Sequence, residues 1–151
     1  MVNEFIKLEG TSLESLIRTM DDSLAEVLRD ESRNSGRAES VSFPKNEEEV
    51  LAALAFCRSQ GISITVQGAR TGLAAAAVPY GGHVLNCSRM NQVMGCRQDE
   101  QGRFILTCQP GVILSEFKKA IDQKNFRTTH WSEASQGSFE KFRKAERQFF
   151  P

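Results

Sequence analysis

Residues 66–79 read V-Q-G-A-R-T-G-L-A-A-A-A-V-P, a run of small residues that follows a β-type segment. Gly68 and Gly72 flank a short stretch that carries the Thr71 hydroxyl. Main-chain N–H groups in such a stretch can approach an anion closely, because glycine and alanine add little bulk. The segment therefore predicts a phosphate-binding loop, and residues 67–77 are called the phosphate loop below.

Two common phosphate motifs do not describe this loop. No Gly-Lys-Ser/Thr follows it, so it is not a Walker A loop. Its glycines are four residues apart and the next element is strand-like, which does not fit the G-x-G-x-x-G dinucleotide fingerprint. Spacing alone leaves one alternative open, a tight surface turn followed by a core-packing run at Ala74–Ala77.

Composition sets broad limits on the class of protein. The chain has 151 residues, which is enough for one domain or for one lobe of a larger enzyme. Its apolar share of 40% and charged share of 25% are typical of a soluble globular protein. A formal net charge of zero gives no electrostatic drive toward nucleic acid or anionic lipid. Without a long apolar run or a signal-peptide core, a cytoplasmic location is expected.

Cysteine and histidine give no signature of a metal centre or of a nucleophile. The four cysteines contain no C-x-x-C pair, so a zinc site is not predicted. Cys57, Cys87 and Cys108 lie in apolar stretches, and we expect buried, reduced thiols there. His83 and His130 are the two imidazoles, and each is expected to be structural or at the surface. No catalytic residue and no metal ligand is therefore assigned.

Capping and periodicity predict an α+β fold, a small mixed sheet with packed helices and a C-terminal helical tail. A capping box at Thr11–Glu14, followed by apolar residues at 3–4 spacing, predicts one amphipathic helix of about five turns that ends near Leu28. Asn46 before three glutamates predicts a second helix that ends at Gly61. Further elements are predicted at Ile62–Val66 (strand), His83–Asn86 (strand), Val93–Arg97 with Arg103–Cys108 (hairpin) and Leu114–Lys124 (helix).

The last 25 residues differ in character from the rest, since a polar stretch precedes a phenylalanine-rich one. Phe139, Phe142, Ala145 and Phe149 recur at helical spacing among charged residues, which predicts an amphipathic helix over Ser138–Phe150. Two interpretations remain open for its phenylalanine face. It packs on the rest of the chain, or it docks on a partner that this chain does not contain.

Eight short segments occur in an order typical of one family. They are D-E-S-R at 30–33, V-S-F-P at 41–44, E-E-V at 48–50, G-I at 61–62, G-A-R-T-G-L at 68–73, V-P-Y-G-G at 78–82, S-R-M-N at 88–91 and Q-P-G-V at 109–112. In this combination the chain resembles the N-terminal part of the FAD-binding domain of p-cresol methylhydroxylase type (PCMH-type), found in the vanillyl-alcohol oxidase superfamily. Within it, the chain is most similar to the branch of the glycolate oxidase D-subunit and D-lactate dehydrogenase.

The resemblance implies FAD as the cofactor and a set of residues that binds it. Main-chain N–H groups of the phosphate loop would contact the FAD pyrophosphate, assisted by the threonine hydroxyl. The turn at Pro110 and Gly111 would lie near the adenine end. Arg70 would either add a guanidinium fork to the phosphate oxygens or face solvent. The loop residues so implied are Gly68, Ala69, Thr71 and Gly72 as contacts, with Gln67 and Leu73 shaping the loop.

Four positions depart from the family pattern. Arg70 stands where a glycine is common, Ala75 and Ala76 replace a frequent Gly-Gly pair, and Gln67 replaces a frequent arginine. If the chain needs φ > 0 at either alanine, the substitution has a cost in backbone strain. The Gln67 departure removes a positive charge from the edge of the loop.

The resemblance also implies a division of the chain. Residues 1–29 would form an N-terminal helical segment, residues 30–126 a partial FAD-binding subdomain that holds the pyrophosphate, and residues 127–151 a divergent helical tail. The parts of the family that hold the flavin ring and the substrate do not appear in the printed sequence. We therefore expect the FAD-binding lobe of a truncated oxidoreductase.

The family's activity is FAD-dependent oxidation of a small 2-hydroxy acid, such as glycolate or D-lactate, with hydride transfer to the flavin. This chain is expected to be inactive alone and to bind FAD weakly through its ADP moiety. A 2-hydroxy acid would be a substrate only of a full-length relative, and neither nucleic acid nor a membrane span is expected. The alternatives left open are a non-catalytic nucleotide-binding or protein-interaction module, and self-association.

Overall fold

The computed structural model describes residues 12–145, which divide into two compact units. The first unit ends at Met90 and the second begins at Asn91. Each unit has hydrophobic clusters of its own. The boundaries predicted from the sequence at 29/30 and 126/127 remain predictions. They divide the chain by its role in cofactor binding, whereas the two units are defined by how compactly the residues pack.

The first unit is built on a four-stranded mixed sheet in the order β1-β2-β4-β3. The edge strand β1 runs antiparallel to β2, whereas β2 and β3 both run parallel to β4. Helices pack against this sheet, so the predicted α+β class with a small mixed sheet is confirmed. The strands are β1 (Arg18–Thr19), β2 (Ser40–Ser42), β3 (Ile64–Gln67) and β4 (His83–Asn86).

The single five-turn helix predicted before residue 29 is wrong. Helix α1 covers only Leu13–Leu16, β1 follows it, and Asp22–Leu28 form a 3-10 helix. Pairing of β1 with β2 satisfies the backbone in an extended form, which local periodicity cannot reveal. The Asp21 carboxylate also accepts from the Ser23 N–H at 2.8 Å and so starts a new turn.

The start of α1 is capped one residue later than predicted. The Ser12 hydroxyl accepts a hydrogen bond from the Ser15 N–H at 3.2 Å, so Ser12 is the N-cap. Thr11, where the predicted capping box began, lies outside the described residues. A serine at the N-cap satisfies one of the N–H groups that the first turn leaves without a partner.

Helix α2 (Glu47–Gln60) follows the prediction from its capping residues closely. The Asn46 side chain accepts from the Glu49 N–H at 2.9 Å, and the helix ends at Gly61 in the left-handed conformation, φ 64°. Asparagine at the N-cap and glycine at the end are both residues whose local chemistry fixes a boundary. Both predicted ends are therefore confirmed.

The sheet of the first unit carries a hydrophobic cluster on each face. Leu85 packs with Leu16, Ala52 and Ala53 of the two helices. The adjacent Val84 packs instead with Val27 and other residues of the 3-10 segment. Because successive side chains of a strand point to opposite faces, α1 and α2 cover one face and the 3-10 helix covers the other.

The second unit contains the predicted hairpin, β5 (Val93–Gln98) paired antiparallel with β6 (Phe104–Cys108). Helix α3 (Leu114–Asp122) follows, and α4 (Glu133–Lys144) begins five residues before the predicted start at Ser138. The earlier start arises because the Ser132 hydroxyl accepts from the Ser135 N–H at 3.3 Å and caps the helix.

An aromatic cluster forms the core of the second unit. Trp131 and Phe139 have ring centroids 5.4 Å apart in an edge-to-face arrangement, and the Trp131 indole N–H donates to the Val93 carbonyl at 2.7 Å. Phe142 packs against the same cluster. Phe139 and Phe142 thus follow the first of the two interpretations for the tail, and Phe149 lies outside the described residues.

The cysteines are free thiols, as expected, but the predicted burial is wrong for one of them. Cys57 and Cys87 are buried as predicted, and Cys96 is buried as well. Cys108 is exposed, so its predicted burial is wrong. It ends β6, where the last two residues of the strand face solvent. Burial raises the pKa of the Cys57, Cys87 and Cys96 thiols, which keeps them protonated.

Candidate functional site

The phosphate loop leaves the sheet of the first unit at the carboxyl end of β3. Gln67 is the last residue of β3 and pairs in register with Asn86, the last residue of β4. Both strands therefore end at the same edge of the sheet. Ligands of open α/β sheets bind outside the carboxyl ends of parallel strands. The fold places the phosphate loop where such a ligand would lie.

The loop presents main-chain donors that no other described residue uses. Within the described range, the N–H groups of Gly68 through Gly72 donate to no protein acceptor. Ala69, Thr71 and Gly72 are exposed. A Cβ added at Gly72 would meet no atom within 4 Å, so the space beside the loop is open. Unpaired N–H groups around open space suit an anion such as a diphosphate.

Gln67 points away from this space, into the protein. Its side chain is 1% exposed, and its Nε2 donates to the Val27 and Ala77 carbonyls, both at 2.7 Å. Its Oε1 accepts from Asn86 Nδ2 at 3.0 Å. Gln67 thus joins the two ends of the phosphate loop, and its buried side chain does not reach the open space; its role in shaping the loop for a ligand stays a prediction. Leu73, the other residue predicted to shape the loop, is 79% exposed.

Arg70 lies against the 3-10 helix, an arrangement that neither interpretation from the sequence anticipated. Its Nη1 donates to the main-chain carbonyl of Glu26, and its Nη2 lies 3.9 Å from the Glu26 carboxylate. Its own carbonyl accepts from the Glu31 N–H at 3.2 Å. The middle of the loop is therefore attached to the segment that precedes β2. A contact between Arg70 and phosphate remains a prediction.

Two departures from the family's glycines fall at positions with positive φ. Arg70 has φ 57° and Ala75 has φ 58°, both in the left-handed region. A residue with a Cβ is strained there by about 1–2 kcal/mol, whereas glycine is not. The cost expected for the Ala75-Ala76 pair is thus confirmed at Ala75. The Val78 N–H donates to the Ala75 carbonyl at 3.1 Å and closes the turn.

Asp30 lies beside the end of the phosphate loop, and sequence reasoning noted it only as part of a family segment. Its Oδ1 accepts from the Ser32 N–H at 3.0 Å, and its buried Oδ2 has no partner within the described part of the chain. Hydrogen bonding from Ser32, with a smaller contribution from the Ala77 main chain, keeps the pKa of Asp30 below its ordinary value despite desolvation. The D-x-S spacing is the local signal that could have identified this turn.

The return of the loop to β4 depends on two close approaches of the backbone. Gly82 has φ 76°, and a Cβ there would overlap the Ser63 carbonyl. A Cβ at Gly36 would overlap the Pro79 carbonyl. Only glycine fits at these two positions, because the carbonyls that a Cβ would overlap belong to residues distant in sequence.

His83 is a buried structural residue of the sheet. Its Nδ1 and Nε2 each lie 2.8 Å from a hydroxyl, of Ser40 and Ser42 respectively. Burial lowers the pKa of His83 to about 4, so the ring is neutral near pH 7. His130 is exposed and has its Nε2 2.9 Å from the Val93 carbonyl. Both placements agree with the roles expected from the sequence.

Pro110 and Gly111 form the expected turn after β6. The Val112 N–H donates to the Gln109 carbonyl at 3.2 Å, and the Gln109 side chain accepts from the Gln92 N–H at 3.0 Å. This turn belongs to the second unit, whereas residues 67–73 belong to the first. The structure thus brings the loop residues together in one segment, and the position of Pro110 and Gly111 beside adenine stays a prediction.

The described residues contain neither a cluster of metal ligands nor a membrane-spanning helix. From Ser12 to Ala145, no group of three or more histidine, cysteine, aspartate or glutamate side chains could hold a metal ion. In the same range, no helix has the length and apolar character required to span a membrane.

Comparison with protein families matches residues 38–138 to a family described as an FAD binding domain. The match covers well over half of the chain. The chain belongs to the family of PCMH-type FAD-binding domains. The cofactor predicted from the sequence, FAD, is confirmed by this membership.

Curated relatives of this FAD-binding domain include dehydrogenases of 2-hydroxy acids. A D-2-hydroxyglutarate dehydrogenase of Stutzerimonas stutzeri is 30% identical over 110 residues, which cover 72% of this chain and 23% of the relative. A D-lactate dehydrogenase of Anaerostipes hadrus is 32% identical over 89 residues, 58% of this chain and 18% of the relative. The chain therefore spans less than a quarter of the length of these two relatives.

Solved structures show the same fold. A 6-hydroxy-D-nicotine oxidase of Arthrobacter nicotinovorans superposes with a TM-score of 0.58 at 21% identity, covering 78% of this chain and 26% of that one. The flavoenzyme CrmK superposes with a TM-score of 0.54 at 20% identity, covering 72% of this chain and 22% of that one. At these identities the likeness supports the fold alone.

Proposed function

We propose that the phosphate loop binds the pyrophosphate of FAD and that the chain is the FAD-binding lobe of an oxidoreductase acting on a small 2-hydroxy acid. The observation that carries the proposal is the run of unpaired N–H groups from Gly68 through Gly72, at the carboxyl end of β3 in a PCMH-type domain. These donors need no net positive charge, because the aligned N–H dipoles supply the positive potential.

The residues have distinct roles in this proposal. Gly68, Ala69, Thr71 and Gly72 contact the pyrophosphate, and the Thr71 hydroxyl adds a side-chain donor. Gln67 and Leu73 shape the loop without receiving the phosphate. Pro110 and Gly111 lie near the adenine. Bound FAD supplies the flavin ring that accepts a hydride, while the chain's part is to hold and orient the ADP half.

The substrate class comes from the relatives. D-2-hydroxyglutarate and D-lactate, which their names carry, are both 2-hydroxy acids. Oxidation of such a substrate needs a base for the hydroxyl proton. His83 cannot serve, because its two ring nitrogens are engaged by Ser40 and Ser42 and its pKa is about 4. His83 is thus excluded as the base. We propose that this chain alone binds FAD but does not oxidise the acid.

Titration calorimetry with FAD and with ADP tests the binding claim. We expect both to bind with a dissociation constant on the order of micromolar or weaker. Binding is weak because the chain contacts mainly the ADP half, so the flavin half of FAD adds little affinity. Binding of ADP without FAD would favour a non-catalytic nucleotide-binding module. Absence of binding to either compound would overturn the proposal.

Activity is tested separately, with the FAD-loaded chain, D-lactate or D-2-hydroxyglutarate, and an artificial electron acceptor. The proposal expects no acid-dependent reduction of the acceptor. Turnover above a control without the acid would contradict the claim that the chain is inactive alone, while leaving the FAD assignment in place.

A further inference from the structure

We propose that Gln67 is a positioning residue, whose buried carboxamide holds the two ends of the phosphate loop together and so presets the N–H groups for the diphosphate. This inference rests on the proposed function and deepens it. With a side chain only 1% exposed, Gln67 cannot contact a ligand in the open space. Any effect it has on binding must act through the loop.

The Gln67 carboxamide makes hydrogen bonds through both its nitrogen and its oxygen. Both Nε2 hydrogens are used, one on the Ala77 carbonyl at the far end of the loop and one on the Val27 carbonyl of the 3-10 helix. The loop between Gln67 and Ala77 is thereby closed at its base. It is also attached to the 3-10 helix that covers the sheet.

Asn86 fixes which way the Gln67 carboxamide faces. The Asn86 Oδ1 accepts from the Ser88 main-chain N–H at 3.0 Å, so its Nδ2 must point toward Gln67. That Nδ2 donates to Gln67 Oε1 at 3.0 Å. A reversed carboxamide would place two donors face to face here and present an oxygen to two carbonyls. The Ser88 main-chain N–H, whose polarity is known, thus fixes the orientation of Asn86 and through it that of Gln67. These side chains and their hydrogen bonds to Val27 and Ala77 are called the Gln67 relay below.

The loop has little packing of its own to keep it ordered. Residues 71–74 are all exposed, and the Leu73 side chain contributes nothing to a core. Its order therefore depends on the Gln67 relay at the base and on Arg70 in the middle. A loop that is already ordered loses less conformational entropy on binding, and this difference appears as affinity.

Two variants that each remove buried hydrogen bonds of the sheet separate a positioning role from a general loss of stability. Gln67→Met keeps the side-chain length and removes all three hydrogen bonds. Ser42→Ala removes a buried hydrogen bond between Ser42 of β2 and His83 of β4, and Ser42 makes no hydrogen bond to the loop. Both variants should melt at a lower temperature than the wild type. We expect ADP affinity to fall about tenfold in Gln67→Met alone.

A measurement without ligand accompanies the titration. We expect amide order parameters from ¹⁵N relaxation to fall for residues 68–76 in Gln67→Met and to stay unchanged there in Ser42→Ala. Unchanged loop order, or lower order with unchanged ADP affinity, would overturn the inference. If the wild type binds neither ADP nor FAD, the proposed function fails, and the order parameters still decide whether Gln67 holds the loop.

A second variant covers the case in which Gln67→Met does not fold. Asn86→Asp keeps the acceptor for Ser88 and places an oxygen against Gln67 Oε1. The Gln67 carboxamide should then reverse and withdraw its Nε2 from the Ala77 carbonyl. We expect the same loss of loop order and of ADP affinity as in Gln67→Met, and wild-type values for both would contradict the proposed relay.

Discussion

Arg70 donates a hydrogen bond to the main-chain carbonyl of Glu26, a residue 44 positions earlier in the chain. The ion pair between the two side chains adds little, since the Glu26 carboxylate lies 3.9 Å from the guanidinium and Glu26 is well exposed. The link is therefore a hydrogen bond to the backbone rather than an ion pair. It connects the middle of the phosphate loop to the 3-10 helix.

The first prediction separates these two kinds of contact. Arg70→Ala should lower the free energy of unfolding by about 1 kcal/mol, because a charge-assisted hydrogen bond to the backbone is lost. Glu26→Ala is the matched control and should change it little, because the main-chain acceptor remains and exposed ion pairs contribute weakly. Urea denaturation measures both. Equal losses in the two variants would show that the side-chain ion pair dominates.

A second prediction concerns backbone strain at Ala75. Ala75→Gly should raise the free energy of unfolding by about 1 kcal/mol, because glycine adopts φ 58° without the clash of a Cβ. Ala76→Gly is the control, since residue 76 does not have a positive φ. Glycine at this position only raises the conformational entropy of the unfolded chain, which lowers stability. Thermal denaturation should show a rise in melting temperature for the first variant and a fall for the second. The reverse order would contradict the assigned strain.

The third prediction follows from the close approach at Gly82. Gly82→Ala should destabilise the fold by several kcal/mol, because a Cβ there overlaps the Ser63 carbonyl and is also strained at the φ of 76° that the chain adopts. Gly102→Ala is the matched control. Gly102 has a similar φ of 79°, but a Cβ there would meet only the Gln98 side chain, at 3.7 Å. That control should cost only about 1–2 kcal/mol, the penalty of the left-handed conformation alone.

The fourth prediction is a pH dependence set by His83. Burial lowers its folded pKa to about 4, below its value of 6.5 when unfolded, so the unfolded chain binds the extra proton first as pH falls. Stability from this group is complete above pH 6.5 and is lost between pH 6.5 and 4, by about 3 kcal/mol in all. The carboxylates with lowered pKa, Asp21, Asp30 and Asp99, lose their contribution only at lower pH.

Urea denaturation at a series of pH values measures this loss, and His83→Gln is the control. Glutamine retains hydrogen-bonding groups for Ser40 and Ser42 but does not titrate, so stability should be nearly flat over the same range. A wild-type curve as flat as that of the variant would show that His83 is not held neutral by burial.

How much of this structure the sequence could predict depends on whether the decisive contacts are local. The ends of α2 were predicted because Asn46 and Gly61 act on the turns beside them. The helix predicted before residue 29 failed because β1 forms only when β2, more than twenty residues later, is present to pair with it. Local periodicity contains no information about that partner.

The candidate site shows the same division. The unpaired N–H groups of the loop follow from its glycine-rich, small-residue composition, which the sequence displays. Gln67 was expected to shape the loop, but its partner Val27 lies 40 residues away and could not be identified. The Arg70 contact was missed for the same reason. Side-chain relays between distant segments are set by the folded chain, not by spacing.

The proposed function depends most on the phosphate loop as the binding site of the diphosphate, and calorimetric titration of ADP into two glycine variants tests this role directly. A Cβ at Gly72 or at Gly137, in α4 of the second unit, meets no atom within 4 Å, so Gly72→Val and Gly137→Val should both fold. We expect Gly72→Val to abolish ADP binding, because the methyl groups of valine fill the space beside the N–H groups. Gly137→Val should bind ADP as the wild type does. Equal ADP binding by Gly72→Val and the wild type would contradict this role of the loop.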